Sequence, residues 1–366
     1  MKKMRVAIIG QGRSGRDIHG KHFLSENNDN AEVVAVVDAL EDRRERAKKD
    51  FGCDAYADYR ELFDRKDIDL IVNASFSHQH FAIAKDCLEH GYNVLNEKPF
   101  AKTSYEAMEL TRIAKEKGVI VTAFHQSLYA PPVLKMKEVL ESGKIGEVMQ
   151  INLCYSGFSR RWDWQTLQCF CAGGVYNTAP HAIGVGLDLI GWDPAAKVTY
   201  SYLGKTAFNS GDANDFAKII ITAPGKPTID IECNNNDAYK PEPFKIFGTK
   251  GTIATGPFAN SVKVKYIIPE ELEARPVIME PLRQPETGYP AYCGEKLNFH
   301  EEELTAEGDV FSTGSSIFYH MLYDAIMLGK PLDITPEKAG KVIEIIEAVH
   351  VQNPLPVLYG LPEFKV

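Results

Sequence analysis

The sequence predicts an α/β unit built on a doubly wound parallel sheet, followed by an α+β unit with a mostly antiparallel mixed sheet. Three observations carry that expectation. Up to residue 125, short β-branched runs alternate with amphipathic helical stretches. Beyond it, strands succeed one another with few helices between them. The chain is also long enough for about two domains, and its 44% hydrophobic and 25% charged residues are close to the globular average. Disordered, collagenous and coiled-coil classes are thereby excluded. The expected division is 1–125 and 126–366.

Within the first unit, Arg5–Gly10, Glu32–Asp38, Leu70–Ala74, Asn93–Asn96 and Val119–Ala123 are apolar nearly throughout. That suits parallel strands covered by helices on both faces. Helices are expected at Glu41–Phe51, at His78–His90 with Ser77 as N-cap, and at Tyr105–Lys117. In the second unit a helix is expected near Pro132–Ser142, then a strand at Val148–Tyr155 and a helical segment around Thr178–Ile190. Strands follow at Lys197–Leu203, Phe216–Thr222, Thr228–Asn234 and Val262–Ile268. Two helices close the chain. One covers Ser316–Leu328, and the other opens with Thr335 as N-cap and Pro336 at the first helical position.

With 41 basic against 50 acidic residues the formal charge is −9, which repels phosphate backbones and argues against nucleic acid as a partner. No apolar run approaches the ~18–20 residues that span a bilayer, and Val6–Ile9 is too short for the core of a secretion signal. The 7 cysteines are scattered, which favours reduced thiols and a cytoplasmic location.

Gly10-Gln11-Gly12-Arg13-Ser14-Gly15 has the spacing G-x-G-x-x-G, directly after the first strand and before a helical stretch. Gly10 permits the tight turn, Gly12 lets the backbone approach a pyrophosphate, and Gly15 lets helix and strand pack closely. The helix N-terminus offers free N–H groups to phosphates, with Gln11, Arg13 and Ser14 alongside. Asp38 ends the second strand, where a carboxylate accepts from a ribose 2′-OH and repels a 2′-phosphate, so NAD is favoured over NADP. Arg43 and Arg44 either soften that preference or form a solvated helix face.

Asn96-Glu97-Lys98-Pro99-Phe100 follows the fifth strand at the carboxyl edge, where doubly wound sheets bind ligands. With the preceding Leu88–Leu95 it resembles the E-K-P signature of the glucose–fructose oxidoreductase / inositol dehydrogenase (Gfo/Idh/MocA) family. The similarity continues through Ser142-Gly143-Lys144-Ile145-Gly146, Gly173-Gly174 up to His181, and Gly248-Thr249-Lys250-Gly251. The resemblance implies a Rossmann domain that binds NAD, followed by an open-faced domain for substrate binding and oligomerisation. It further implies a sugar, cyclitol or related acid as substrate and a homodimer or homotetramer. By this similarity Glu97 positions the nicotinamide ribose, and Lys98 touches both cofactor and substrate hydroxyl. Ala74, Ser75 and Phe76 line the cofactor, although Ser75, Phe76 and Ser77 replace the family's Thr-Pro-Asn. His80 is assigned mainly a structural part. An ammonium beside the reacting carbon stabilises alkoxide character as hydride leaves.

The segment from Gly173 to His181 resembles the family's glycine-led stretch in which an Asp precedes the His by four residues. Here Asn177 takes the first place and His181 the second. At i, i+4 the two share a helix face. His181 is the expected general base, since an imidazole suits proton transfer near neutral pH. The amide of Asn177 still hydrogen-bonds a sugar hydroxyl but no longer favours imidazolium by charge. Tyr176 is the weaker choice of base, with a reference pKa near 10.

Arg161, Trp162 and Asp163 either contact substrate or pack between the domains. His125, Gln126 and Tyr129 follow the sixth strand where the family carries an Asn-Arg-type segment; Gln126 is a substrate candidate, and the family's Arg is absent. Cys169-Phe170-Cys171 and His300-Glu301-Glu302-Glu303-Leu304 lack the companions a zinc site needs, so no metal is expected. His19 and His22 are expected on a helix surface. The leading function is NAD-dependent hydride transfer at a CH–OH group of a sugar, glycoside or cyclitol. The alternatives are a redox-neutral NAD-dependent glycosidase and a non-catalytic NAD-binding regulator, the latter disfavoured by Lys98 and His181.

Overall fold

The structure, a computed structural model, describes residues 2–239, 244–277 and 294–362. Six parallel strands form the first sheet: β1 (Met4–Ile9), β2 (Ala31–Val37), β3 (Asp54–Tyr56), β4 (Leu70–Asn73), β5 (Asn93–Asn96) and β6 (Val121–Ala123). Their order is β3-β2-β1-β4-β5-β6, so the chain reverses direction across the sheet beside β1 and opens a crevice at the carboxyl ends. A π-helical turn, Arg13–Gly20, runs from the glycine loop into α1 (Lys21–Phe23). The covering helices α2 (Glu41–Phe51), α3 (His80–Glu89) and α4 (Ser104–Lys117) follow the expected alternation. Thr103 caps α4 by accepting from Glu106 N at 3.2 Å, and Gly118 ends it at φ 67°. Ser77, expected as a cap, makes no capping bond. Its side chain is buried in a 3₁₀ turn, Ser77–Gln79, that precedes α3.

The second sheet has eight described strands: β7 (Val148–Ser156), β8 (Lys197–Gly204), β9 (Phe216–Thr222), β10 (Thr228–Asn234), β11 (Phe244–Gly248), β12 (Gly251–Thr255), β13 (Ser261–Tyr266) and β14 (His300–Thr305). Their order is β14-β13-β12-β11-β7-β10-β9-β8, with only β7 and β10 parallel. Burial alternates residue by residue along β9 and β10, so one face is apolar and packed while the other stays open. The packed face receives α7 (Ala179–Leu189), pressed so close that a Cβ on Gly186 would lie 2.8 Å from Ile229 Cγ2. Ahead of it come α5 (Pro131–Glu141) and the short α6 (Gly174–Asn177).

The closing helices cross back. In α8 (Val310–Leu328), Phe318, Tyr319, Leu322 and Tyr323 share a core with Met4, Val6, Ile8 and Phe124 of the first sheet's side. It begins six residues before the expected Ser316, because Asp309 caps it by accepting from Ser312 N. α9 (Pro336–Gln352) lies against α4 and β8 and is capped by Thr335 as expected. The site is therefore clamped from behind by helices that come last in sequence. All six cysteines among the described residues are free thiols, and Cys293 lies outside them. No described helix is long and apolar enough to cross a membrane.

Candidate active site

The three glycines of the loop differ in what they exclude. Gly10 sits at φ 89°, and a Cβ there would meet Ala74 O at 2.5 Å. A Cβ on Gly15 would collide with Gly10 O at 1.8 Å. Both are thus demanded by packing. Gly12 is different: its Cβ would find only Arg43 Nη1, at 3.7 Å. The space over Gly12 is open, as a bound pyrophosphate requires. Asp38 is nearly buried at the end of β2, where Oδ2 accepts from Gln11 N at 2.8 Å and Oδ1 from Leu40 N at 2.9 Å. Arg43 Nη1 lies 3.3 Å from the same carboxylate, so this arginine serves Asp38 rather than a free helix face. Gln11 Nε2 is buried without a partner, a donor left over beside the loop. Arg13 is exposed, and Ser14 is partly buried.

The loop after β4 closes the other side. Ala74 N donates to Ile9 O at 2.8 Å, and Ser75 Oγ donates to Asn73 Oδ1 at 2.7 Å. Phe76 packs against Trp164 and Phe170 at 5.1 and 5.6 Å, so it also ties the two units together. His80 is buried, with Nδ1 2.8 Å from Pro99 O and Nε2 3.2 Å from Ser75 O. It staples the E-K-P turn, whose Lys98–Pro99 peptide is cis, to the Ser75 loop.

Glu97 and Lys98 point to opposite tasks. Glu97 is buried, with Oε1 3.1 Å from His19 Nε2, while His19 Nδ1 lies 2.6 Å from the Tyr319 hydroxyl. Burial pushes the Glu97 carboxyl up, but His19 and then Lys98 hold it down to about 2, so it is ionised. His19 is fully buried, and His22 is stacked on Tyr319 at 4.6 Å. The expectation of a solvated helix surface was therefore wrong. α8 covers that face, and its helix is distant in sequence.

Lys98 Nζ donates to Asn177 Oδ1 at 2.9 Å and to Asn177 O at 3.1 Å, bridging the two units. Burial lowers the lysine's pKa; Glu97 opposes this, and the guanidinium groups of Arg13 and Arg161 add to it. Asn177 ends α6 and His181 lies in α7, with Thr178 breaking the helix between them, so the expected single helix face is interrupted. His181 has Nδ1 3.2 Å from Ser127 Oγ. Burial first, then Lys98 and His125, push its pKa down to about 3, so the ring is neutral. In the tautomer whose Nδ1–H donates to Ser127, Nε2 is the proton acceptor. Tyr176 turns away, donating to Lys102 O at 3.0 Å, with its phenol pushed up by burial.

Two adjoining cavities open from this point. One, of about 190 Å³, is lined by Asn177, Arg161 and Gln165 among others; the second, of about 730 Å³, extends past Phe258. Tyr155, Ser159, Thr178 and Asn235 belong to both. Arg161 pairs with Asp163 at 2.6 Å, and Asp163 also accepts from Gln165 N at 2.9 Å. Trp162 is 75% exposed and lines neither cavity. Gln126 also lines neither; it is buried, with its backbone oxygen tight beneath Gly314 of α8. His125, which the sequence places with Gln126 and Tyr129 after the sixth strand, is more deeply enclosed. Its ring is buried with neither nitrogen hydrogen-bonded, and burial holds its pKa near 4.

The model of an NAD-binding Rossmann oxidoreductase family matches residues 4–125, and that of the Gfo/Idh/MocA C-terminal domain matches 133–254. The chain belongs to the Gfo/Idh/MocA family. Like that family's first domain it binds NAD, and the open space over Gly12, the spare Gln11 donor and the Asp38 carboxylate fit that group. Among its relatives is Bacillus subtilis scyllo-inositol 2-dehydrogenase (NADP(+)) IolW, 23% identical over 359 residues, covering 94% of this chain and 92% of that one. A 2,7-anhydro-N-acetylneuraminate hydratase of Mediterraneibacter gnavus is 27% identical over 180 residues, 48% of this chain and 47% of its own. An Agrobacterium radiobacter oxidoreductase, solved with NAD+, L-tartaric acid and magnesium, shares the fold at a TM-score of 0.75 and 18% identity, covering 96% of each chain.

Proposed function

We propose that this Gfo/Idh/MocA oxidoreductase transfers hydride between nicotinamide and a secondary hydroxyl or ketone carbon of a sugar, glycoside or cyclitol. The observation that carries the reading is the bridge from Lys98 Nζ to Asn177. It ties the ammonium to Asn177, a residue of the polar cavity's lining, with the neutral imidazole of His181 four residues further on; Lys98 and His181 themselves stand behind that lining. NAD supplies the hydride acceptor. Asp38 holds the adenosine ribose, and Gly10, Gly12 and Gly15 cradle the pyrophosphate with Gln11, Arg13 and Ser14. Ala74, Ser75, Phe76 and Glu97 border the cofactor on its other side. His181 Nε2 accepts the hydroxyl proton while Nδ1 stays bonded to Ser127. Lys98 stabilises the negative charge that develops on the same oxygen, in a setting where burial keeps the charge effective. In the reductive direction the proton returns from His181. Arg161 lines the cavity, and Asp163 pairs with it from outside the lining.

Incubation with NAD and a panel of sugars, glycosides and inositols, followed by absorbance of the reduced nicotinamide, tests the reading. Turnover that disappears in Lys98→Met supports it, and turnover unaffected by that change refutes it. A second reading, redox-neutral turnover, is left open by Asn177, which departs from the family's Asp and does not hold His181 protonated as a carboxylate does. The hydratase among the relatives is consistent with it. Substrate conversion without net accumulation of reduced nicotinamide selects that reading.

A further inference from the structure

The lining of the smaller cavity carries information about the rest of the substrate. We infer that it is a subsite for an uncharged, polyhydroxylated part of the substrate, recognised by Asn214 and Gln165, and that it rejects acidic sugars. The inference rests on the hydride-transfer reading above.

Five asparagines and a glutamine face the cavity, and some are committed to the fold. Asn209 donates to Ala213 O at 2.8 Å and accepts from Gly211 N at 3.2 Å. Asn234 donates to Glu232 Oε1 at 3.2 Å and accepts from Asn236 N at 2.7 Å. Asn214, Gln165 and Asn177 keep open ends. Asn214 is 2% exposed, and its Oδ1 is buried with no hydrogen-bond partner. Its Nδ2 faces Phe216 O at 3.5 Å, so turning the amide over would set carbonyl against carbonyl. Gly173 keeps that Oδ1 clear, since a Cβ there would meet it at 2.7 Å. Gln165 Oε1 is likewise buried and unpartnered. Asn177 gives its oxygen to Lys98 and keeps its Nδ2 for a ligand. Buried polar atoms in folded proteins are nearly always paired, so two spare acceptors in one cavity point to something that donates to them.

Charge selects what that is. Arg161 is neutralised by Asp163 at 2.6 Å. Asp215 accepts from Thr206 N at 2.8 Å and from the Thr206 hydroxyl. Burial pushes Tyr155 and Cys233 up, so both are neutral. The described lining therefore holds no unpaired cation, the Lys98 ammonium standing outside it with Asn177 between, and a carboxylate entering it would face two carbonyl oxygens. A hydroxyl both donates and accepts, and so suits a lining that offers an acceptor at Asn214 Oδ1 and a donor at Asn177 Nδ2.

The test uses the full chain with NAD and matched neutral and acidic sugars: glucose and glucuronate, galactose and galacturonate. Wild type is expected to turn over a neutral member with at least tenfold higher kcat/KM than its acid. Asn214→Leu and Gln165→Leu should each raise KM for that neutral sugar about three- to tenfold, as loss of one neutral hydrogen bond does, with kcat and NAD affinity held. Preference for the acid overturns the inference, as does an unchanged KM in both variants. In either case Lys98→Met still abolishes turnover, so hydride transfer stands. Should Asn214→Leu fail to fold, Gln165→Leu decides alone. No turnover of any pair, nor of any sugar, glycoside or inositol in the panel above, refutes the hydride-transfer reading and this inference with it.

Discussion

Replacing Lys98 by Met keeps the length and apolar stem of the side chain while removing its charge and its donors. The ammonium donates at 2.9 and 3.1 Å to Asn177, which fixes it at the boundary between the cofactor loops and the polar cavity. A unit charge about 4 Å from a developing alkoxide is worth about 4 kcal/mol at an effective dielectric near 20. Loss of one preorganised oxyanion donor lowers kcat by about 10²–10³ in comparable sites. Both routes put the expected fall in kcat at roughly 10²–10³ or more. NAD affinity is set on the other side, by the glycine loop and Asp38, so its Kd should change by less than about threefold. Initial rates on the best neutral sugar and quenching of tryptophan fluorescence by NAD measure the two quantities. Turnover of the variant within tenfold of wild type would refute the electrostatic role given to Lys98. Parallel collapse of NAD binding would show that it serves the cofactor instead.

His181 must be neutral to accept a proton, and with its pKa held at about 3 it stays neutral throughout the ordinary range. The oxidative kcat/KM should therefore show no acid limb near 6.5, and should fall on the alkaline side as pH rises through the lowered pKa of Lys98. An acid limb at the value of a free imidazole would contradict the buried setting. Gly12→Ala should leave apoprotein stability within about 0.5 kcal/mol, since its Cβ meets nothing closer than 3.7 Å, yet weaken NAD binding more than about tenfold. Gly15→Ala should lower Tm sharply because its Cβ meets Gly10 O at 1.8 Å, so equal Tm values for the two variants would refute the division of labour. Asp38→Ser should shift the NADP-to-NAD affinity ratio upward by about tenfold, measured by titration of each nucleotide; an unchanged ratio would remove Asp38 as the selector. Tyr319→Phe strands His19 Nδ1 and should destabilise the fold by about 1–3 kcal/mol in urea denaturation, and a silent variant would show that ring unpaired without cost.

Most of the first sheet was legible because its strands are continuous apolar runs with turn residues between them. β3, with three residues, is too short to leave a periodic signal. The glycine loop, Asp38 and the E-K-P turn were readable because each has a fixed offset from a strand end. In the second sheet β11 and β12 escaped notice. They flank Thr249 and Lys250 as a tight hairpin whose strands, FKIFG and GTIAT, carry glycine and lysine. β14 was also missed, since three successive glutamates look like a solvated loop. Pairing with β13 explains it: Lys263 stands opposite Glu303, and Lys265 opposite Glu301 at 2.5 Å. The same limit applies to His19, Ser127 and Asn214. Each acts through a partner far away in the chain, and spacing alone carries no trace of such a contact.

The account depends on hydride passing between a substrate carbon and the nicotinamide. Supplying carbon-deuterated sugars with NAD and recovering the nucleotide for mass spectrometry follows that atom itself. In net oxidation deuterium should accumulate in the reduced nicotinamide of wild type. In redox-neutral turnover it should appear there only in a rapidly quenched single turnover, because the same deuteride is handed back to the substrate-derived carbon. Either signal should be lost in Lys98→Met, and product formation with the nucleotide unlabelled both at the end and in the quenched turnover would contradict the account.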